Sequence, residues 1–509
     1  MDILNQNQVS AVKAFEAVYP GQPPYHPSQA YPEFPLHPRS NDPNHVFDAI
    51  RNSLRLLGLD SRTYGMPLWN PLGTFIQPGQ TVVVKPNLVS HFNWGYKKGL
   101  TDTDSLITHG SVIRCMIDYV ALALKNNGRI IIGDSPVQLS SWEQLLRLIH
   151  FDELADYCKA YYPGISLSSC DYRLERAVRN RYGVIMQTGA APSSKDYLEI
   201  DLGAESLLSD LQRQENPVSF GVADYPSWRM KDAHNASHNK YLFPKQVLEA
   251  DAVINLPKLK THSKAGFTCA LKNLVGINGH KDYLPHFRYG PPKSNGDEYP
   301  DGGLLFDIIN RISHQVWDCK NGWQKIIYSV TIKMLKGIYI LLNRNGRAAL
   351  TTMGGGWHGN DTLWRTILDI NRSFFYADAG GMLSQDHITQ KNCFTLVDGI
   401  VGGEKLSPLL PSPKKTGFIL AGFNPVAVDA VAATLMGLDF KKIKQINNAF
   451  AIARFPLAAF HPDAVELKSN FNCSSINDII KNKVSVAFEP SPGYKGHIEL
   501  SEVQCQKIL

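Results

Sequence analysis

Short apolar runs rich in β-branched residues recur along this chain, and most end at a polar residue beside a proline or glycine. Runs at 81–89, 129–133, 252–256, 393–401 and 417–422 predict strands buried on both faces. Between them the apolar period changes to that of a helix. Phe47, Ile50, Leu54 and Leu57 share one face, and Gly58 closes that helix. Val112, Met116, Val120 and Leu124 share another face within 110–126, which Asn127-Gly128 ends. Residues 424–436 read as an alanine-rich helix with Pro425 in its first turn and Gly437 as its cap. A glycine-rich loop feeds a helix in 359–372, with Asn360 or Asp361 as N-cap. The strand–helix–strand series over 81–133 predicts a parallel βαβ unit. The expected fold class is therefore α/β: a mainly parallel sheet with helices on both faces, elaborated by insertions.

The pattern also divides the chain. Residues 46–312 and 346–445 form the expected α/β core, and 446–509 a C-terminal extension. Residues 1–45 hold eight prolines, a density that predicts an N-terminal arm without helix or sheet, either extended on the surface or partly disordered. Residues 313–345 read as a helical insertion. Its most apolar part, 326–342, is too short and too charged to span a bilayer. Apolar positions 326, 327, 330, 334, 338 and 341 fit one face, expected to pack on the protein body, with interfacial membrane contact as the alternative.

Composition narrows the classes without choosing one. With 509 residues, 43% hydrophobic and 19% charged, the chain is ordinary globular material. Its 52 basic and 46 acidic residues leave a net charge of +6, with no run of five like charges, which argues against a nucleic-acid partner. Eight cysteines are scattered with no CxxC or CxxxC, so neither a zinc knuckle nor an iron–sulfur cluster motif is present. Scattered thiols and a polar N-terminus without signal-peptide character point to a cytoplasmic setting.

The densest chemistry lies in 254–279, INLPKLKTHSKAGFTCALKNLVGING, which carries Lys258, Lys260, His262, Lys264, Lys272 and Asn273 after an apolar strand. Other strand ends bring Lys85 and Asn87, Asp134, and Asp398. If these strands are parallel, all four sets meet at one sheet edge, where α/β proteins bind ligands. Each group alone would be a turn cap or an ion pair; together they point to a site for a small anionic ligand. His109 stands before a helix, as a capping neighbour or a proton-transfer group. His280 and His286 give, with His262, three imidazoles within 25 residues, a weak metal signal. His234 and His238 are spaced i,i+4, which permits chelation on a helix, although their surroundings favour a loop. Asp361 and Arg365 suit an i,i+4 ion pair. Asp429, inside an alanine-rich helix, must be paired, as structural partner or site residue. No Walker, nucleophile-elbow or kinase signature occurs.

Six segments together resemble the DUF362 family over roughly residues 80–440: KPN at 85–87, GDSP at 133–136, LPKLKTHSKAGFTCALKNLVGI at 256–277, GNDTLWRTILDINR at 359–372, LVDGI at 396–400 and NPVAVDAVAATLMGLD at 424–439. That family is named for having no assigned function. Many members carry a ferredoxin-like cluster domain; this sequence has no such cysteine motif, so electron transfer through its own cluster is not expected. The stretch from His262 to Lys272 is also similar to the H–AGFSGG–K segment of the lactate-racemase family, with Cys269-Ala270 in place of the glycine pair. That resemblance implies proton transfer by His262 and a reactive or cofactor-tethering amine at Lys272, where the family holds a nickel-pincer nucleotide. It implies a second catalytic histidine at His109 and a metal ligand at His280 or His286.

The expectation is an enzyme, isomerase-like or oxidoreductase, acting on a small carboxylate or phosphate substrate. Lys85, Lys258 and Lys260 would hold the anion, Asn87, Asn273, Asp134 and Asp398 would orient it, and Asn360, Asp361, Arg365 and Asp429 would support the site. A non-catalytic cofactor-, metal- or nucleotide-binding module is the alternative.

Overall fold

The structure, a computed structural model, describes residues 3–95, 99, 102–179, 185–188, 194–212, 219–222, 230–319 and 321–501. Its central sheet is built from strands β1 (Gln8–Lys13), β2 (Thr81–Pro86), β3 (Gly128–Asp134), β4 (Ile165–Asp171), β5 (Ala252–Leu256), β6 (Lys258–His262), β7 (Gly266–Thr268), β8 (Asn392–Leu406), β9 (Leu410–Gly422) and β10 (Glu466–Ser469). The order across the sheet is β10-β1-β9-β8-β5-β2-β3-β4, with β6 pairing β8 and β7. From β8 to β4 every pairing is parallel, and β9 lies antiparallel to both β8 and β1. The fold is α/β, as expected.

Helices α1 (His45–Leu56), α2 (Gly110–Ala123), α3 (Ala270–Asn273), α4 (Gly303–Asp318), α5 (Gly322–Leu342), α6 (Leu363–Tyr376) and α7 (Pro425–Leu435) accompany the sheet. Successive strand residues point to opposite faces. Val82, Val84, Ile254 and Leu256 therefore pack on one side with Ile50 and Leu54 of α1 and Val112 and Met116 of α2. Val83 and Val253 pack on the other with Leu271 and with Ile367 and Phe374 of α6, while α7 covers β8 and β9 through Val428 and Val431. Both faces being covered explains why these strands read as continuous apolar runs. The side chain of Asn360 accepts from the amides of Thr362 and Leu363 at the start of α6. His109 is the N-cap of α2, its Nδ1 accepting from Ser111 N.

Two expectations are corrected. Residues 1–45 are not a bare surface arm: Gln8–Lys13 is an inner strand, with Val9 to Val12 buried between β9 and β10. The first proline is Pro20, so the bar on regular structure does not reach this segment. Tyr25, Tyr31 and Phe34 of the proline-rich part are buried in the core beside α1. The second correction concerns α5. Of the face expected to pack on the body, Ile327, Val330, Met334 and Leu341 are 60%, 60%, 60% and 87% exposed. The helix packs instead through Tyr339, with Ile332 and Leu335, on Phe306 and Ile309 of α4. It is apolar on more than one side, and α4 takes the side the periodicity did not single out.

Val9 is fully buried in the inner strand. Val9→Asp is expected to cost more than about 4 kcal/mol and to remove the cooperative unfolding transition. A surface arm would leave the denaturation midpoint unchanged.

Candidate functional site

The parallel strands β8, β5, β2 and β3 deliver their polar ends to one edge. Because β2 and β3 are neighbours, Lys85 Nζ lies 2.7 Å from Asp134 Oδ1, and both side chains are buried. Asp134 also accepts from the amides of Ser135 (2.8 Å) and Leu88 (2.6 Å). Asn273, in α3, accepts from Lys85 Nζ (3.3 Å) and Asn87 Nδ2 (2.9 Å), and donates to Asn255 Oδ1 (2.8 Å). Asn87 Oδ1 in turn accepts from Lys260 Nζ (2.7 Å), which also donates to Leu106 O (2.7 Å). Gly276 covers this network. A Cβ there would stand 2.1 Å from Asp134 Oδ1 and 2.6 Å from Lys85 Nζ, so the position has no room for a side chain.

Over this floor opens a cavity of about 470 Å³, lined by Lys85, Asn87, Asp134, His262, Lys264, Lys272, Asn273, His280 and His286. Its wall is apolar, with Trp94, Val275 and the hairpin tip Leu406–Leu410 between β8 and β9. Ser263 N and Trp94 N donate to Ser407 O and Leu409 O and pin that tip. Among the described residues, no carboxylate or carbonyl pairs with the ammonium of Lys272. Burial, with Lys85 and Lys264 beside it, pushes its pKa down to about 8, against the opposing pull of Asp134.

Two of the three cavity histidines, His262 and His286, present opposite tautomers. His262 Nδ1 accepts from the amides of Lys264 (3.0 Å) and Ala265 (3.1 Å), so the neutral ring carries its proton on Nε2. His286 Nδ1 lies 2.9 Å from Leu284 O and donates to it, which leaves its Nε2 as the acceptor. Burial, together with Lys272 for His262 and Lys264 for His286, holds both rings well below the usual imidazole range. Lys272, His262 and His286 thus offer an amine, an N–H donor and a lone pair to the cavity.

The expectation of a single shared cleft is corrected. Lys258 and Asp398 form a sealed pair at 3.0 Å, both side chains fully buried. Tyr19 bridges it, accepting from Lys258 Nζ (2.5 Å) and donating to Asp398 Oδ1 (2.5 Å). His109 stacks on Tyr19 at 4.1 Å and lines a different cavity. Lys260 is buried beneath the floor. Asn360, Asp361 and Arg365 lie apart from the Lys272 cavity: the N-cap of α6 is Thr362 and not Asn360 or Asp361, although Asn360 Oδ1 accepts from Leu363 N, and Asp361 pairs with Arg365 at 3.1 Å. Asp429 accepts from the amides of Ala270 and Leu271 at the start of α3, and burial pushes its pKa up to about 7. His234 is buried beside Asn239, while His238 pairs with Asp201 at 2.6 Å. Trp94 and the 406–410 tip were not singled out by sequence, and Lys264, named within 254–279, was given no role there.

Residues 214–434 match the family model of a domain of unknown function, DUF362. The match takes in His262, Lys272 and His286 and leaves out the Lys85–Asp134 pair. No curated protein matches the chain. A structural-genomics crystal structure of a Thermotoga maritima protein is similar at 11% identity with a TM-score of 0.28, over 74% of this chain and 55% of that one. This chain thus spans about half the length of that protein.

A tethered nickel-type cofactor can be tested against these residues. The unpaired amine of Lys272 suits a tether. The metal half lacks its donors: His280 sits between Glu175 (3.2 Å) and Asp282 (3.4 Å), and no group of three or more His, Cys, Asp or Glu side chains among the described residues could hold a metal ion.

The pairing pattern makes two lysines differ in their cost of removal. Lys85→Met leaves Asp134 charged and buried, and is expected to cost about 3–5 kcal/mol in denaturant unfolding. Lys272→Met removes a cation without a partner, and stability is expected to stay within about 1 kcal/mol. Equal losses would contradict the assignment of partners.

Proposed function

We propose that this protein is an enzyme that binds a small anionic, carboxylate- or phosphate-bearing substrate over Lys272 and uses that amine as a nucleophile on a substrate carbonyl. The observation that supports this most is the Lys272 ammonium, which stands beside Lys264 and Lys85 and has no carboxylate or carbonyl partner among the described residues, in a largely apolar cavity. Excess positive charge in such a place favours an anion, and a pKa near 8 keeps part of the amine neutral at physiological pH.

In this reading the neutral amine adds to the carbonyl carbon while His262 Nε2–H hydrogen-bonds the carbonyl oxygen. With one proton taken up, the oxygen leaves as water and a protonated Schiff base remains. The lone pair on His286 Nε2 stands ready to accept a proton during the collapse or from the substrate's α-carbon. Both histidines are weak bases, first because burial disfavours the charged ring and then because lysines stand beside them. A bound anion offsets those charges and raises the basicity of His286.

Incubation with glyoxylate and cyanoborohydride, followed by peptide mass mapping, is expected to place the reduced adduct on Lys272. Since the charged form is the unreactive one, adduct yield should rise as pH climbs through about 8 and then level. Lys272→Met should abolish the adduct. Saturable anion binding with no adduct in the wild type would remove the nucleophile and leave a binding or delivery module.

A further inference from the structure

We propose that the α4–α5 hairpin is a docking surface for an anionic lipid bilayer. Trp323, Ile327, Val330, Met334, Ile338 and Leu341 of α5 recur every three or four residues and so form a single stripe. They are 76%, 60%, 60%, 60%, 39% and 87% exposed. Leu304 and Ile308 of α4, 78% and 39% exposed, lie towards the end where Phe306 meets Tyr339, so they extend the apolar surface there. The opposite side of α5 is already occupied by its packing on α4.

Charge selects the occupant. Residues 319–350 contain six lysines and arginines and not one aspartate or glutamate. Lys333 is exposed beside the stripe, and Arg344 and Arg347 are exposed just beyond its end. An apolar stripe edged by cations fits an interface of acyl chains under anionic headgroups. Two copies of this chain meeting through the stripe would bring like charges together, which disfavours a self-interface. No helix among the described residues is long and apolar enough to cross a membrane, so α5 would lie in the interface plane. The hairpin leads, at Thr351, into the wall of the Lys272 cavity, which ties the docking surface to the site.

Flotation of the full-length protein with phosphatidylcholine vesicles, with or without phosphatidylglycerol, tests this. The wild type is expected to float with the anionic vesicles and to be released as salt rises. Ile327→Glu with Met334→Glu should lower the bound fraction roughly tenfold or more, with an unchanged thermal melt because both residues are exposed. Lys333→Gln alone should lower it several-fold. Protein that stays at the bottom with anionic vesicles, or floats equally with neutral ones, would overturn the proposal. So would a wild-type dimer in light scattering that the double variant converts to monomer.

Discussion

A charge imbalance at one sheet edge shapes this site. Lys85, Lys258, Lys260 and Lys272 are gathered there, and among the described residues only Asp134 and Asp398 form ion pairs with any of them. Lys85 and Lys258 take one carboxylate each. Lys260 finds only neutral acceptors, in Asn87 and the carbonyl of Leu106, and burial with Lys258 beside it holds its pKa well below the usual lysine range. Lys272 has none among the described residues. A low-dielectric interior makes such a surplus costly, and the cost falls when an anion enters or when an amine gives up its proton. Both responses lead to the same chemistry: anion binding and an amine neutral enough to react.

The surrounding fold sustains that imbalance. Parallel pairing of β2 with β3 sets Lys85 against Asp134, and the bare backbone of Gly276 lies close over the pair. Asn273 sits at the end of α3, whose first amides are held by Asp429. Asp429 therefore acts one step away from the cavity, by fixing the helix that carries Lys272 and Asn273. The N-terminal strand and the tyrosine that follows it seal the second lysine–acid pair out of the site, so the arm is part of the site's definition.

Much of this was legible in the sequence, and the reasons are local. Strands covered on both faces betray themselves as unbroken apolar runs, and lysines after such a run mark a strand end. Which lysine meets which acid depends on strand order, which is not sequential here: β5 lies between β2 and β8. His262 and His286 looked alike as imidazoles, and only the amides of Lys264 and Ala265 and the carbonyl of Leu284 assign their tautomers. Gln8–Lys13 was missed because a nearby cluster of prolines overshadowed a short run that holds no proline. The apolar stripe of α5 was read from the sequence but expected against the protein body, because a helix apolar on several sides does not announce which side finds a partner.

The most direct test of the central claim is the titration of Lys272 itself. Competitive acetylation with trace anhydride across a pH series, read for each lysine by mass spectrometry, reports when each amine becomes neutral. The account predicts half-reaction of Lys272 near pH 8, with an upward shift when phosphate is added. A Lys272 that titrates with the exposed lysines, near about 10.4, would contradict the claim of an unpaired, desolvated amine.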